Sequence, residues 1–194
     1  MRSHFLSVAT FAGLLAACSA SEAQTPSQHD ACEIVTDYVE RFVGEAGRLR
    51  TQNADAPQYI AVRTAPYQLR AIITKDGPVE AKLPDAITDT ADWRKIRKLP
   101  EQSVLEACVD LGSSLSQQAV ISDDARIGTL TTGDDWEAHV LSIAMPIFTE
   151  NGRHAVIFSS KGMGGLAGVG LLAVYSKTDD GEWLLVGEDT RWIS

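Results

Sequence analysis

Apolar and polar positions along this chain follow two periods: helical spacing dominates the first part, and strand-like runs fill the last third. Ala31, Val35, Tyr38, Val39, Phe42 and Ala46 recur on one helical face, while Glu33, Asp37, Glu40 and Arg41 take the other. Asp30 fits the N-cap, Glu33 completes a capping box with it, and Gly47 supplies a stop. Residues 59–64 and 68–74 read as short strands. Lys75-Asp76-Gly77-Pro78 reads as a turn, with a further short strand over 79–83. The pattern weakens from Pro84 to Leu99, where residues 93–99 fit either a helical turn or a cationic loop. A second helix is expected to open at Pro100-Glu101, turn Val104, Leu105, Cys108 and Leu111 inward, and end at Gly112.

Four strand-like runs follow, over 139–148, 154–160, 169–177 and 183–189, with reversals at Asn151-Gly152 and Asp180-Gly181. No helix-length segment separates them, so they predict an antiparallel meander. A two-residue turn at Asn151-Gly152 places Glu150 opposite Arg153, Thr149 opposite His154 and Met145 opposite Phe158. Ile143, Met145, Ile147, Val156 and Phe158 then form the core face of the hairpin. The fold class this predicts is α+β, with N-terminal helices packed on an antiparallel sheet that ends in a four-strand meander.

The start of the chain adds an address. Residues 5–17 form an apolar stretch of about 13 residues after Arg2, long enough for a leader core and too short to span a bilayer. Leu15-Ala16-Ala17-Cys18 closes that stretch and resembles the cleavage and lipidation site of bacterial lipoproteins. The resemblance implies a leader over 1–17, acyl chains on Cys18 and a flexible polar tether over 18–28, followed by a single α+β domain over 29–194. Ser19 after the cysteine, by resemblance to Gram-negative lipoproteins, favours the periplasmic side of the outer membrane. The alternative is a soluble periplasmic protein whose ordinary leader is cut after Ala23.

Charge narrows the partners. The chain carries 17 bases and 26 acids, a net charge of −9, with no basic cluster. Nucleic acid is therefore excluded as a partner, and membrane attachment falls to the lipid anchor. With Cys18 assigned to lipid, Cys32 and Cys108 remain for an exported domain, and a disulfide between them is the simplest use. Two buried thiols are the alternative.

Candidate chemistry is sparse. His139 and His154 stand about ten residues apart in the expected hairpin, roughly 33 Å, too far to share a metal. Ser159-Ser160-Lys161 lacks Ser-x-x-Lys spacing, and Asp134-Asp135-Trp136-Glu137 lacks EF-hand spacing. No metal or cofactor is expected. The Gly162–Gly170 segment satisfies a loose dinucleotide fingerprint, but a strand follows it where a helix is required. Its glycines permit close backbone approach, which marks Gly162, Gly164, Gly165 and Gly168 as the candidate contact region.

The stretch from Ile147 to Ser194, with Asp180-Gly181-Glu182-Trp183 and the closing Trp192-Ile193-Ser194, resembles small exported bacterial proteins of unknown function. The element order is also similar to the cone-shaped nuclear-transport-factor-like fold, which implies a curved sheet around a pocket and assigns no activity. The expected function is a non-catalytic cell-envelope lipoprotein that binds a small ligand, a glycan or another envelope protein. The alternative is an envelope hydrolase using acidic residues in a sheet pocket, whose sign would be a buried carboxylate without a cationic partner.

Overall fold

The computed structural model describes residues 26–65, 73–74, 77–78, 96–98, 103–165 and 167–193. Cys18 with the leader, the strand expected over 79–83 and the helix opening at Pro100-Glu101 lie outside the described residues.

Helix α1 (Gln28–Gln52) is longer at both ends than its pattern suggests. Its N-cap is Ser27, not Asp30: the Ser27 hydroxyl accepts from the Asp30 amide, and the Asp30 carboxylate accepts from the Ser27 amide. Asp30 is thus the third residue of the capping box, a role the Ser-x-x-Asp spacing allows. Gly47 does not stop the helix. A Cβ at Gly44 or Gly47 would meet nothing within 4 Å, so each lies on an open face and only weakens the helix. The buried face holds the six expected residues plus Ile34.

Strand β1 (Tyr59–Thr64) has the expected bounds. The chain reverses where the turn was expected, with β2 (Ile73–Thr74) pairing antiparallel with β3 (Gly77–Pro78), but Gly77 and Pro78 belong to the strand pair. Within residues 93–99, expected as a helical turn or a cationic loop, β4 (Ile96–Lys98) is a strand that pairs antiparallel with Ile147–Thr149. The second helix is broken into α2 (Val104–Ala107) and α3 (Val109–Gln117) at Cys108, and it runs through Gly112. Val104, Cys108 and Leu111 are buried as expected. A short helix, α4 (Asp124–Leu130), is capped by the Asp123 carboxylate on the Arg126 amide.

The sheet continues with β5 (Ala138–Ile143), β6 (Ile147–Thr149), β7 (His154–Gly164), β8 (Ala167–Lys177) and β9 (Trp183–Ile193). The architecture is α+β, and seven of the described strands form one mixed sheet. From β6 to β9 the strands follow one another as an antiparallel meander. The expected all-antiparallel sheet is corrected at one edge, where β1 runs parallel to β5. Helices α2–α4 lie between those strands in sequence, which supplies the long crossover that a parallel pair requires.

The first strand of the meander is split. The Ala144 amide still donates to the Phe158 carbonyl at 3.0 Å, and the chain then leaves the ladder through Met145 and Pro146, which has no amide proton to donate. Ile147↔Val156 keeps the expected register, but Ile143↔Ser159 is displaced by one residue. A one-residue slip exchanges faces, so the expected core face is corrected for Val156 and Phe158, while Ile143 and Met145 keep to the main core. Leu141, Ile143, Phe148, Ala155, Ile157, Ala173 and Tyr175 share the main core with α1. Val156, Leu172 and Val174, with Phe158, form a separate cluster. The β6–β7 ladder runs from Ile147↔Val156 to Phe148↔Ala155, and beyond it Arg153 lies 3.8 Å from Asp179.

The Cys32–Cys108 disulfide joins α1 to the break between α2 and α3, with Cα atoms 5.4 Å apart. On the opposite side of the β1–β5 pair, Ile127 of α4 packs with Ala61, Ile121, Ala138 and Val140. Among the described residues, no helix is long and apolar enough to cross a membrane.

Candidate functional site

Alternation along β5, β7 and β8 brings one row of side chains under α1. Tyr38 and Phe42 are one helical turn apart, and the polar atoms beneath them are matched in turn. The Tyr38 hydroxyl donates to Glu188 at 2.8 Å and lies 2.8 Å from the Ser159 hydroxyl. Tyr175 donates to Asp37 at 2.7 Å, and Arg41 holds the same carboxylate oxygen at 2.7 Å. Burial pushes the Tyr38 phenol far above its ordinary pKa, and the neighbouring Glu188 carboxylate adds to this against the Ser159 hydrogen bond. A phenol that stays protonated cannot take a proton from Ser159. The trio fastens helix to sheet.

Beyond this seam toward the end of α1, the packing opens into a cavity of about 320 Å³. Phe42, Ala46 and Leu49 form its helical wall, and Val169 and Ile193 line it from β8 and β9. Lys161 of β7 and Glu45 of α1 line it too, as an ion pair 3.0 Å long. His139 closes the wall from β5 and is 3% exposed. Among the described residues, its Nε2 is the only buried side-chain nitrogen or oxygen without a hydrogen-bond partner. Burial pulls the His139 pKa below its ordinary value and Arg50 adds to this, while Glu45 opposes it. The ring is accordingly neutral at pH 7, with one N–H donor and one acceptor nitrogen.

The glycine segment borders this cavity, and its members have different jobs. Gly162 and Gly168 pair across the β7–β8 hairpin and line the cavity. Gly162, Gly164 and Gly165 also face the chain's own 133–136 loop. A Cβ at Gly162 would lie 2.7 Å from Trp136 Cζ3, and one at Gly165 would lie 3.0 Å from the Gly133 carbonyl oxygen. The Gly165 amide donates to the Asp134 carbonyl at 3.1 Å. Close approach is what these glycines provide, and for Gly162, Gly164 and Gly165 it is internal. Gly162→Ala is expected to lower stability by about 1–3 kcal/mol through overpacking against Trp136. Urea denaturation followed by tryptophan fluorescence measures this, and an unchanged midpoint would contradict it.

The remaining candidates do not converge. His154 lies at the far end of β7 from the cavity, with its Nδ1 2.7 Å from the Ser176 hydroxyl. Among the described residues, no group of three or more His, Cys, Asp or Glu is placed to hold a metal ion. A wider depression of about 710 Å³ lies over the disulfide, lined in part by Glu33, Asp37, Glu40 and Asp110. It contains no buried polar side-chain atom without a partner. In the sequence, His139 figures only as one of several scattered histidines that make no metal or catalytic centre. The signal passed over was a lone histidine beside Ala138, Val140 and Leu141 in a strand. Compared with known proteins, the chain matches no family model, no curated protein and no solved structure.

Proposed function

We propose that this protein is a cell-envelope lipoprotein, anchored through Cys18, whose folded domain is a non-catalytic module binding a small ligand. The observation that carries the reading is the 320 Å³ cavity beside the glycine bend, with a buried histidine nitrogen left over in its wall. Small-molecule sites are concave and mostly apolar, with few polar groups to fix orientation, and this cavity meets that description at the lower end of the usual volume range. A cavity between helix and sheet also accords with the pocket that the topological analogy implies.

Two observations favour this reading over an envelope hydrolase. The buried polar side chains among the described residues are His139, Ser142, Thr149 and Ser159, and none is a carboxylate. The acids closest to the cavity and seam have partners: Glu45 holds Lys161, Asp37 holds Arg41 and Tyr175, and Glu188 holds Tyr38. The disulfide suits an oxidising compartment, and the outer membrane remains the proposed location on the strength of Ser19.

Native mass spectrometry of protein drawn gently from envelopes tests both halves of the proposal. The expected spectrum shows an N-terminal Cys18 carrying diacylglycerol and a non-covalently bound small molecule that is lost in Ala46→Phe, a substitution that fills the cavity. An unmodified N-terminus at Gln24 would contradict the anchor. A bound mass unaffected by Ala46→Phe would contradict the cavity.

A further inference from the structure

We propose that the cavity takes an uncharged amphiphile of about a dozen non-hydrogen atoms, its chain on Phe42, Ala46 and Val169 and its one hydrogen-bonding group on the His139 ring. This rests on the binding-module reading and names the ligand class of the same site.

Volume sets the size. An apolar cavity of about 150 Å³ accepts benzene, so 320 Å³ holds roughly twice as many heavy atoms. The wall sets the polarity. Nε2 of His139 is one unmatched position, and leaving a buried polar group unmatched is unfavourable. A hydroxyl both donates and accepts, so it complements a neutral imidazole in either tautomer. Nε2 is sealed in the unliganded wall, so the hydroxyl meets it through a rotation of the ring about its Cβ–Cγ bond, which exchanges Nε2 with Cε1.

Charge is what the cavity refuses. Lys161 and Glu45 neutralise each other across it, 3.0 Å apart. A carboxylate on Lys161 would have to displace Glu45, and a carboxylate farther inside would be buried among apolar groups without a counter-ion. Orientation follows from exposure. His139 is 3% exposed, whereas Met163 and Ile193, also lining the cavity, are 50% and 80% exposed. The polar group therefore goes inward to His139, and the chain runs outward over Met163 and Ile193. This gives a use to two large apolar side chains that the fold leaves in water.

The test uses the full chain carrying Cys18→Ala, so that no detergent competes, with 1-decanol and decanoate as probes in isothermal titration at pH 7.5. The proposal expects 1-decanol to bind and decanoate to bind at least tenfold more weakly. His139→Phe should weaken 1-decanol about fivefold, the effect of one lost hydrogen bond, with the melting temperature kept or raised. His139→Gln, which keeps a donor and an acceptor, should retain most of the affinity; His139→Leu, which keeps neither, replaces the phenylalanine variant if that fails to fold. Decanoate binding more tightly than 1-decanol, and lost in Lys161→Met, would overturn the uncharged class while leaving the binding-module reading intact. Equal affinity for 1-decanol in the native protein and both His139 variants would overturn the role of the ring. No binding of either probe would overturn this proposal and the cavity as the module's site together.

Discussion

Replacing Cys32 and Cys108 together with serine is expected to lower the unfolding free energy by roughly 2–5 kcal/mol. The two cysteines are 76 residues apart in sequence, and closing a loop of that size removes much of the unfolded chain's freedom. The bridge also fixes α1 at the one point where the following helical segment breaks, since Cys108 itself separates α2 from α3. Cys108 is buried in the main core with Leu111 and Val104, so losing the bond also loosens that packing. Urea titration of oxidised wild type and the double-serine variant measures the difference. Coincident midpoints would show that the described arrangement of α1, α2 and α3 does not depend on the bond.

Asp30→Ala is expected to be the most damaging single substitution of a charged group, at about 2–4 kcal/mol. One carboxylate serves four partners. It accepts from the Ser27 amide at 2.8 Å and the Ser27 hydroxyl at 2.7 Å, from Lys177 at 2.6 Å and from the Trp183 indole at 3.0 Å. The substitution removes the capping box of α1 and leaves a largely buried lysine without its counter-ion. Burial alone would raise the Asp30 pKa; Lys177, followed by Ser27 and Trp183, outweighs it and holds the carboxyl far below its ordinary value. The sign for stability follows. The contribution is complete above the unfolded value of about 3.9 and is lost as pH falls below about 4 toward the depressed folded value. The gap between wild type and Asp30→Asn should therefore narrow from pH 5 to pH 2 in denaturation experiments. A gap independent of pH would contradict the role of the ion pair.

Much of the helical architecture was legible because it rests on one-dimensional periodicity. The buried face of α1 follows from a 3.6-residue repeat, and the positions of Val104, Cys108 and Leu111 follow from the same rule. The ends of α1 were not legible, because Ser27 and Asp30 both suit an N-cap and only the hydrogen bonds choose between them. Strand β4 was hidden by its basic residues, yet Arg97 and Lys98 suit an edge strand, where charge discourages further pairing. The faces of β6 and β7 were misjudged because both are buried. Ile147 and Val156 are as covered as Phe148 and Ala155, so alternation carried no information about which face meets α1.

The candidate site was legible only in part. A run of glycines announces close approach and does not say to what. For Gly162, Gly164 and Gly165 the answer is Trp136 and Asp134 of the same chain. The cavity joins Phe42, His139, Lys161, Val169 and Ile193, which the sequence scatters over about 150 positions. Such a site exists only because the one-residue slip of β5 against β7 turns the odd-numbered side chains of β7, Lys161 among them, toward α1 beside His139 and Leu141 of β5.

The measurement that bears most directly on the central claim is an amide chemical-shift map of the full Cys18→Ala chain during titration with 1-decanol. A ligand in the cavity should shift the amides of Ala46, His139, Lys161, Gly168 and Val169 in saturable fashion and leave those of Cys32, Asp110 and His154 unmoved. Saturable shifts confined to the depression around Cys32 and Cys108, or none anywhere, would contradict the assignment of the binding site to this cavity.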